Sequence, residues 1–530
     1  MNKGLHHRLT AQAQRRPEAT AVVLNERGLT YGALESLANR IARTLIEHGC
    51  RPGECVAMLM AKSPLAIAAL IGIYKAGAIY VPLDGASPPP RLVKALAACE
   101  ATWLLADQAV DGLLAELRLQ GAERIAPRLG WLAESPAEGA AFDIQAVLHA
   151  SDRLPLVNAG GDAVAHILFT SGSTGTPKGV AITHANVIHF VEWAACHFAI
   201  DAGDRLSGHA PLPFDLSFFD IFGSIAAGAE LHLVPPELSM FPDKLSDWIR
   251  AAGLTQWFSV PSVLNYLAGF DAVRRNDFPR LRRLLWCGEV LPTRTLMYWM
   301  TRLPHVRFTN LYGPTEATIA SSHYTVPRRP RGEREAIPIG RPCDGESLRV
   351  LDEQMRPLPP GEIGELYIGG AGLSPGYWQD PEKTAAAFVT APDGERLYRT
   401  GDLGRIDAEG LFYFAGRADT QIKSRGYRIE LGEVEAAVSA LACLRECAVV
   451  ALPGEGFDGA VIHCAYVPIA DARVTPAALR RELEQVLPRY MLPSRWTHFG
   501  ELPKNANGKT DRRRLRELLQ HHAVAADHYA

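Results

Sequence analysis

The sequence has no Cys-x-x-Cys pair, and its cysteines, Cys50, Cys55, Cys99, Cys196, Cys287, Cys343, Cys443, Cys447 and Cys464, are odd in number and scattered. Cys443 and Cys447 lack a second ligand pair at zinc-site spacing, so the thiols read as reduced and mostly buried, as in a cytoplasmic enzyme. Charge of one sign is also missing: 55 Lys+Arg stand against 58 Asp+Glu, a net −3, which argues against a dedicated nucleic-acid binder. The start has no apolar core of signal-peptide length. No unbroken membrane-length run occurs either. The best candidate, residues 65–83, is interrupted by Gly72, Lys75 and Gly77 and reads as a buried helix running into a buried strand. Tandem repeats are absent, and low complexity is confined to prolines 88–90. With 21% charged residues, 46 Gly and 37 Pro, a largely disordered chain is excluded.

What remains is an ordinary globular composition, 47% hydrophobic over 530 residues. Single cores stop growing at about 250–300 residues, so two or three domains are expected. Leu34, Leu37, Ile41 and Leu45 recur at helical spacing behind a possible cap at Thr30. Residues 55–60, 164–169 and 229–234 are short apolar runs bounded by turn residues, as buried strands are, and a helix is expected over 243–252. Strands alternating with helices give an α/β chain with parallel-type sheets. Near Gly416 the texture changes: a basic stretch (417–428) leads into a helix starting near Glu433, strand-like runs at 447–452 and 461–467, and a helix from Pro476 to about Val486. The expected division is a large domain, 1–416, and a small α+β domain, 417–530, with a candidate hinge at 416–420.

Directly behind the strand 164–169 stands Thr170-Ser-Gly-Ser-Thr-Gly-Thr-Pro-Lys-Gly179. Its glycines let the backbone approach an anion and aim N–H groups at it. The hydroxyls of Thr170, Ser171, Ser173 and Thr174 add donors, and Lys178 a positive charge. A flexible linker would not sit tight against a buried strand and end in Pro-Lys, so a phosphate loop is the better reading. It is not a Walker loop, because Pro177 precedes the lysine and Gly179 follows it.

With this loop in view, the chain resembles the adenylate-forming (ANL) superfamily, specifically stand-alone amino-acid adenylation enzymes of nonribosomal peptide type. Seven further motifs stand in the family's order: 74–84 (YKAGAIYVPLD), 214–217 (FDLS), 310–318 (NLYGPTEAT), 364–370 (GELYIGG), 398–403 (YRTGDL), 416–430 (GRADTQIKSRGYRIE) and 507–509 (NGK). The reaction implied joins a carboxylate to the α-phosphate of ATP, with Mg²⁺, to give an acyl-AMP and pyrophosphate. Both reactants are anionic, so the site must supply positive charge and alignment. By the resemblance, the loop (Thr170, Ser171, Gly172, Ser173, Thr174, Gly175, Lys178) holds phosphates, and Gly288, Glu289, Asn310, Gly313, Thr315 and Arg417 add nucleotide contacts. Tyr312 would stack on adenine, Glu316 ligate Mg²⁺, and Asp402 accept bonds from the ribose hydroxyls. On its own, Tyr312 reads equally well as a buried aromatic at a turn. Lys509 would be the catalytic residue, bridging substrate carboxylate and α-phosphate, and Asp419 the hinge of a small domain that rotates to bring Gly426 to the thiol tunnel.

Asp215 matches the aspartate with which amino-acid-activating members hold the substrate ammonium. The other matched pocket positions, Leu216, Phe219, Ser259, Leu285, Cys287, Leu311, Ile319 and Ala320, carry no formal charge, which disfavours charged substrates. Similarity to prolyl and D-alanyl carrier protein ligases implies a small apolar α-amino acid, proline ahead of alanine. Only residues 510–530 follow Lys509, so a phosphopantetheinylated carrier protein is expected in trans. An acyl- or aryl-CoA ligase on the same fold is the alternative, and Asp215 is the discriminating feature. A silent scaffold could lose Lys509, Glu316 or Asp402, yet all are present.

Overall fold

The computed structural model describes the chain apart from residues 1–3, 120–126, 136, 158–159, 173–176, 454–459, 470–473, 505–509 and 527–530. It is an α/β structure in which an eight-stranded and a nine-stranded sheet, both largely parallel, share a helical layer. The helix Tyr31–Glu47 starts where expected, its cap Thr30 accepting from the Ala33 amide at 3.2 Å. The interrupted apolar run is a helix, Pro64–Lys75, followed by the strand Ile79–Pro82. Lys75 is buried there, bonded to Glu35 at 2.7 Å and to the Thr10 hydroxyl at 3.2 Å, a paired charge inside a protein core. No helix among the described residues is long and apolar enough to cross a membrane.

Chain topology positions the site. The strands Arg205–Gly208, Gln256–Ser259, Arg283–Trp286 and Arg307–Tyr312 lie side by side and parallel, with Ser259 opposite Trp286 and Trp286 opposite Asn310. Their carboxyl ends therefore deliver the segments behind them to one edge, where open α/β sheets bind ligands. In the other sheet, Val164–Thr170 runs parallel to Ile79–Pro82 and ends at the glycine- and hydroxyl-rich segment expected to hold phosphate. A five-stranded antiparallel sheet adds Arg396–Ile406, which carries Asp402, and Phe412–Arg417, with Arg417 directly opposite Asp402.

Beyond this strand come a two-stranded hairpin, 421–430, and a helix, Leu431–Ser439. This helix starts two residues before Glu433 because the strand Tyr427–Glu430 runs directly into it. A three-stranded sheet of Leu444–Pro453, Ala460–Pro468 and Arg495–His498 and a helix Pro476–Leu483 share their own apolar core.

Candidate active site

The strand ends open onto a cleft of about 1280 Å³ including its mouth, lined from both the larger part and the 421–430 hairpin. Of the residues singled out in the sequence, Thr170, Ser171, Asp215, Leu216, Cys287, Gly288, Gly313, Thr315, Ile319, Asp402 and Arg417 reach its wall. Ser173, Thr174, Gly175 and Lys509 lie outside the described residues. The remaining positions have other partners. Lys178 opens the strand Lys178–Thr183, its ammonium 5.6 Å from the centre of the Tyr377 ring. The Asn310 amide donates to the Pro338 carbonyl at 2.8 Å. Phe219, Leu285, Leu311 and Ala320 stand in the core behind the cleft.

On the cleft wall, Asp402 is nearly enclosed. Its Oδ2 accepts from the Tyr312 hydroxyl at 2.6 Å, and its Oδ1 pairs with the Arg417 guanidinium. Burial first, and the adjoining carboxylate second, hold the Tyr312 phenol well above its ordinary range, so it is a donor at neutral pH. Each Asp402 oxygen retains lone pairs, so a diol's hydroxyls fit the same carboxylate. Arg417 also grips both Asp419 oxygens at 2.7 Å. Burial alone would raise the Asp419 carboxyl, but these bonds hold it below its ordinary value.

Glu316 is fully buried, with Arg428 of the hairpin donating to its two oxygens at 2.9 and 2.6 Å and the Tyr377 hydroxyl to Oε1 at 2.8 Å. Burial, the largest single influence, would raise this carboxyl; the Arg428 guanidinium together with the backbone and tyrosine hydrogen bonds holds it low. A carboxylate that accepts a cation on both oxygens fits Mg²⁺, which takes one or two carboxylates and leaves its other positions to water and phosphate. The described residues hold no cluster of three His, Cys, Asp or Glu that would cage a metal.

Elsewhere on the wall, burial pushes Asp215 up to about 6 despite a bond from Thr315 and the nearby Lys423 ammonium. Leu216, Cys287 and Ile319 add uncharged wall on the same cleft. Burial pushes the Cys287 thiol up to about 12, so it is neutral, and it points at the Ile319 carbonyl 3.7 Å away. The Ser259 hydroxyl is already used, accepting from the Trp257 indole at 2.8 Å and donating to the Val260 carbonyl at 3.3 Å. Thr318 and Ile319 have φ of 56° and 70°, where β-branched residues rarely sit. The turn closes so tightly that a Cβ on Gly313 would stand 2.6 Å from the Ala320 backbone.

The hairpin itself supplies the residues that sequence reasoning missed. Arg428 and Lys423 stood only inside a motif string, although the basic run at 417–428 was their signal. Gly426, at φ 82°, donates its amide to Glu289 Oε1 at 2.7 Å, and a Cβ there would meet Val260 at 2.8 Å. Glu289 thus holds the hairpin, and through Oε2 the Ser262 amide at 3.0 Å, instead of lining the cleft.

This geometry coincides with known proteins. Residues 9–378 match the AMP-binding enzyme family and residues 433–509 the AMP-binding enzyme C-terminal domain; the chain belongs to this family. It is thus an AMP-binding enzyme that carries the family's C-terminal domain. Tyrocidine synthase 3 of Brevibacillus parabrevis is 34% identical over 535 residues, covering 100% of this chain and 8% of that protein. The chain thus spans under a tenth of that relative's length. An amide bond synthetase from Marinactinospora thermotolerans superposes with a TM-score of 0.86 at 26% identity, covering 97% of this chain and 99% of the other. The Vibrio cholerae adenylation domain AlmE, in complex with glycyl-adenosine-5'-phosphate, gives 0.83 at 27%, covering 98% of each. A nonribosomal peptide synthetase protein with adenylation and PCP domains gives 0.81 at 27%, covering 97% of this chain and 84% of the other.

Proposed function

We propose that the chain activates a small apolar α-amino acid, proline ahead of alanine, as its aminoacyl-AMP and passes the acyl group to the phosphopantetheine thiol of a carrier protein. The observation that carries this reading is Asp215, a buried acidic group on the cleft wall beside Leu216, the neutral Cys287 and Ile319, which carry no charge. An α-ammonium pairs with it, whereas a fatty or aryl acid brings this buried carboxylate no charge partner. Arg417 and Asp402 hold the nucleoside end, and Thr170 to Gly172 the phosphate end, beside Glu316 as the magnesium ligand. The charge that magnesium supplies there offsets that of the triphosphate. Lys509 is assigned the alignment of substrate carboxylate and α-phosphate. The unit from about 417 onward moves about Asp419 between the two half-reactions, and the seating of Gly426 against Glu289 supports assigning the present arrangement to the second.

ATP–pyrophosphate exchange across a panel of amino, fatty and aryl acids tests this. Stimulation by proline or alanine is expected. Stimulation only by fatty or aryl acids would replace this reading by the CoA-ligase alternative.

A further inference from the structure

Tyr377 is used by none of the roles above, yet it touches two of the charged groups that have them. Its hydroxyl donates to Glu316 Oε1 at 2.8 Å, and the Lys178 ammonium lies 5.6 Å from the centre of its buried ring. The backbone around it is fixed from both sides. The strand Gly376–Tyr377 pairs antiparallel with Lys178–Thr183, Tyr377 opposite Val180, and the Trp378 amide donates to the Gly179 carbonyl at 2.7 Å. Towards the carboxylate, the Ser374 amide donates to the Glu316 carbonyl at 2.9 Å, while the Ser374 hydroxyl donates to the Ala181 carbonyl at 2.7 Å. Gly376 has a φ of 141°, and a Cβ there would run into the Thr384 side chain, whose hydroxyl accepts from the Tyr377 amide at 2.9 Å. The ring itself packs edge to face on Phe388, 6.0 Å between centres. A phenol on so constrained a segment has one place to put its hydroxyl.

We propose that Tyr377 is a positioning residue for the metal: its hydroxyl fixes the rotamer of Glu316, so that Oε2 is offered to the magnesium that accompanies ATP. This rests on reading Glu316 as the magnesium ligand and deepens that reading. Toward an ionised carboxylate a phenol acts as donor, and its bond to Oε1 leaves the lone pairs of Oε2 to a cation. Magnesium demands near-ideal octahedral geometry, so a carboxylate free to turn holds it less well than one already aimed. Removing such a bond from a ligating carboxylate costs about ten- to 100-fold in metal affinity. Arg428 also holds Glu316, but it does so from the hairpin. Tyr377 lies with Glu316 in the matched segment 9–378, so its bond does not depend on the hairpin.

The test measures ATP binding to the full chain by calorimetry, once with saturating magnesium and once with EDTA, without amino acid or carrier. Tyr377→Phe keeps the ring, and with it the Lys178 contact, and removes only the hydroxyl. It should weaken ATP about tenfold with magnesium and leave the affinity in EDTA within about twofold of wild type. Equal weakening under both conditions would mean a merely structural role and overturn the proposal, and so would wild-type affinity under both. Glu316→Gln reports on the reading underneath. It should abolish the affinity that magnesium adds to wild type, and the double variant E316Q/Y377F should lose nothing more. A further loss in the double variant would show that the hydroxyl acts elsewhere, against the proposal. If E316Q keeps the magnesium gain, Glu316 is not the ligand and the magnesium reading itself falls. If E316Q loses the gain while Y377F binds as wild type does, only the role of Tyr377 falls.

Discussion

Arg428 of the hairpin donates to both carboxylate oxygens of Glu316, at 2.9 and 2.6 Å, deep at the junction of the two parts of the chain. Breaking such a pair from one side costs about 3–5 kcal/mol while the partner stays buried. On the proposed hinge motion, unseating the hairpin would escape that cost by giving Glu316 back to solvent. We therefore expect Arg428→Met to keep pyrophosphate exchange and to slow transfer to the carrier thiol at least about tenfold. Arg428→Lys should recover only part of it, since an ammonium lacks the two-pronged donor geometry. Equal loss of both half-reactions in single-turnover assays would refute this.

Asp215→Asn should raise KM for the amino acid about 30-fold or more while leaving KM for ATP unchanged, because a buried charge partner is removed. The pH dependence follows from the same group. Its carboxyl titrates at about 6, raised by burial, and only the ionised form attracts an ammonium. Ionisation falls as pH falls through that value, so KM for the amino acid should rise about tenfold per pH unit below it. The asparagine variant should be flat there; a profile identical to wild type would remove Asp215 from the ammonium site.

Lys509→Ala should lower acyl-AMP formation about 100- to 1,000-fold, the loss expected when a charge aimed at the transition state is removed. Transfer from preformed, added adenylate should survive. Normal pyrophosphate exchange by this variant would eliminate the assignment.

Asp419→Pro should spare adenylation and block thioester formation. Asp419 also grips Arg417, so loss of the carboxylate needs its own control. Asp419→Ala removes those bonds without restricting the backbone, and should retain both half-reactions. If the alanine variant fails as the proline variant does, the Arg417 contact and not backbone rotation is what matters.

Much of the site was legible because its residue types announce their chemistry. A glycine- and hydroxyl-rich loop behind a buried strand, an aspartate at the start of an apolar helix and an aspartate in Tyr398–Leu403 carry local signatures, and each lies on the cleft through Thr170, Asp215 or Asp402. Reach was the weak point of sequence reasoning. Lys178 reads as a free cation but lies over Tyr377, and Ser259 reads as a polar pocket group but has its hydroxyl engaged by Trp257 and Val260. Strand alternation and neighbouring rings decide such orientations, and neither is visible in spacing.

The pattern of apolar runs, caps and turn residues was enough to specify an α/β chain and the order of its motifs, because helices and strands answer to local periodicity. Its near-neutral charge also implied that any cations for a bound nucleotide would be local, with Lys178, Arg417 and Lys509 as the expected sources. Only the folded chain revealed Arg428 on Glu316 and Glu433 on Gly172, pairs separated by 112 and 261 residues. Such contacts depend on how one part of the chain seats on another, and burial then makes each of them an electrostatic commitment that no local segment encodes.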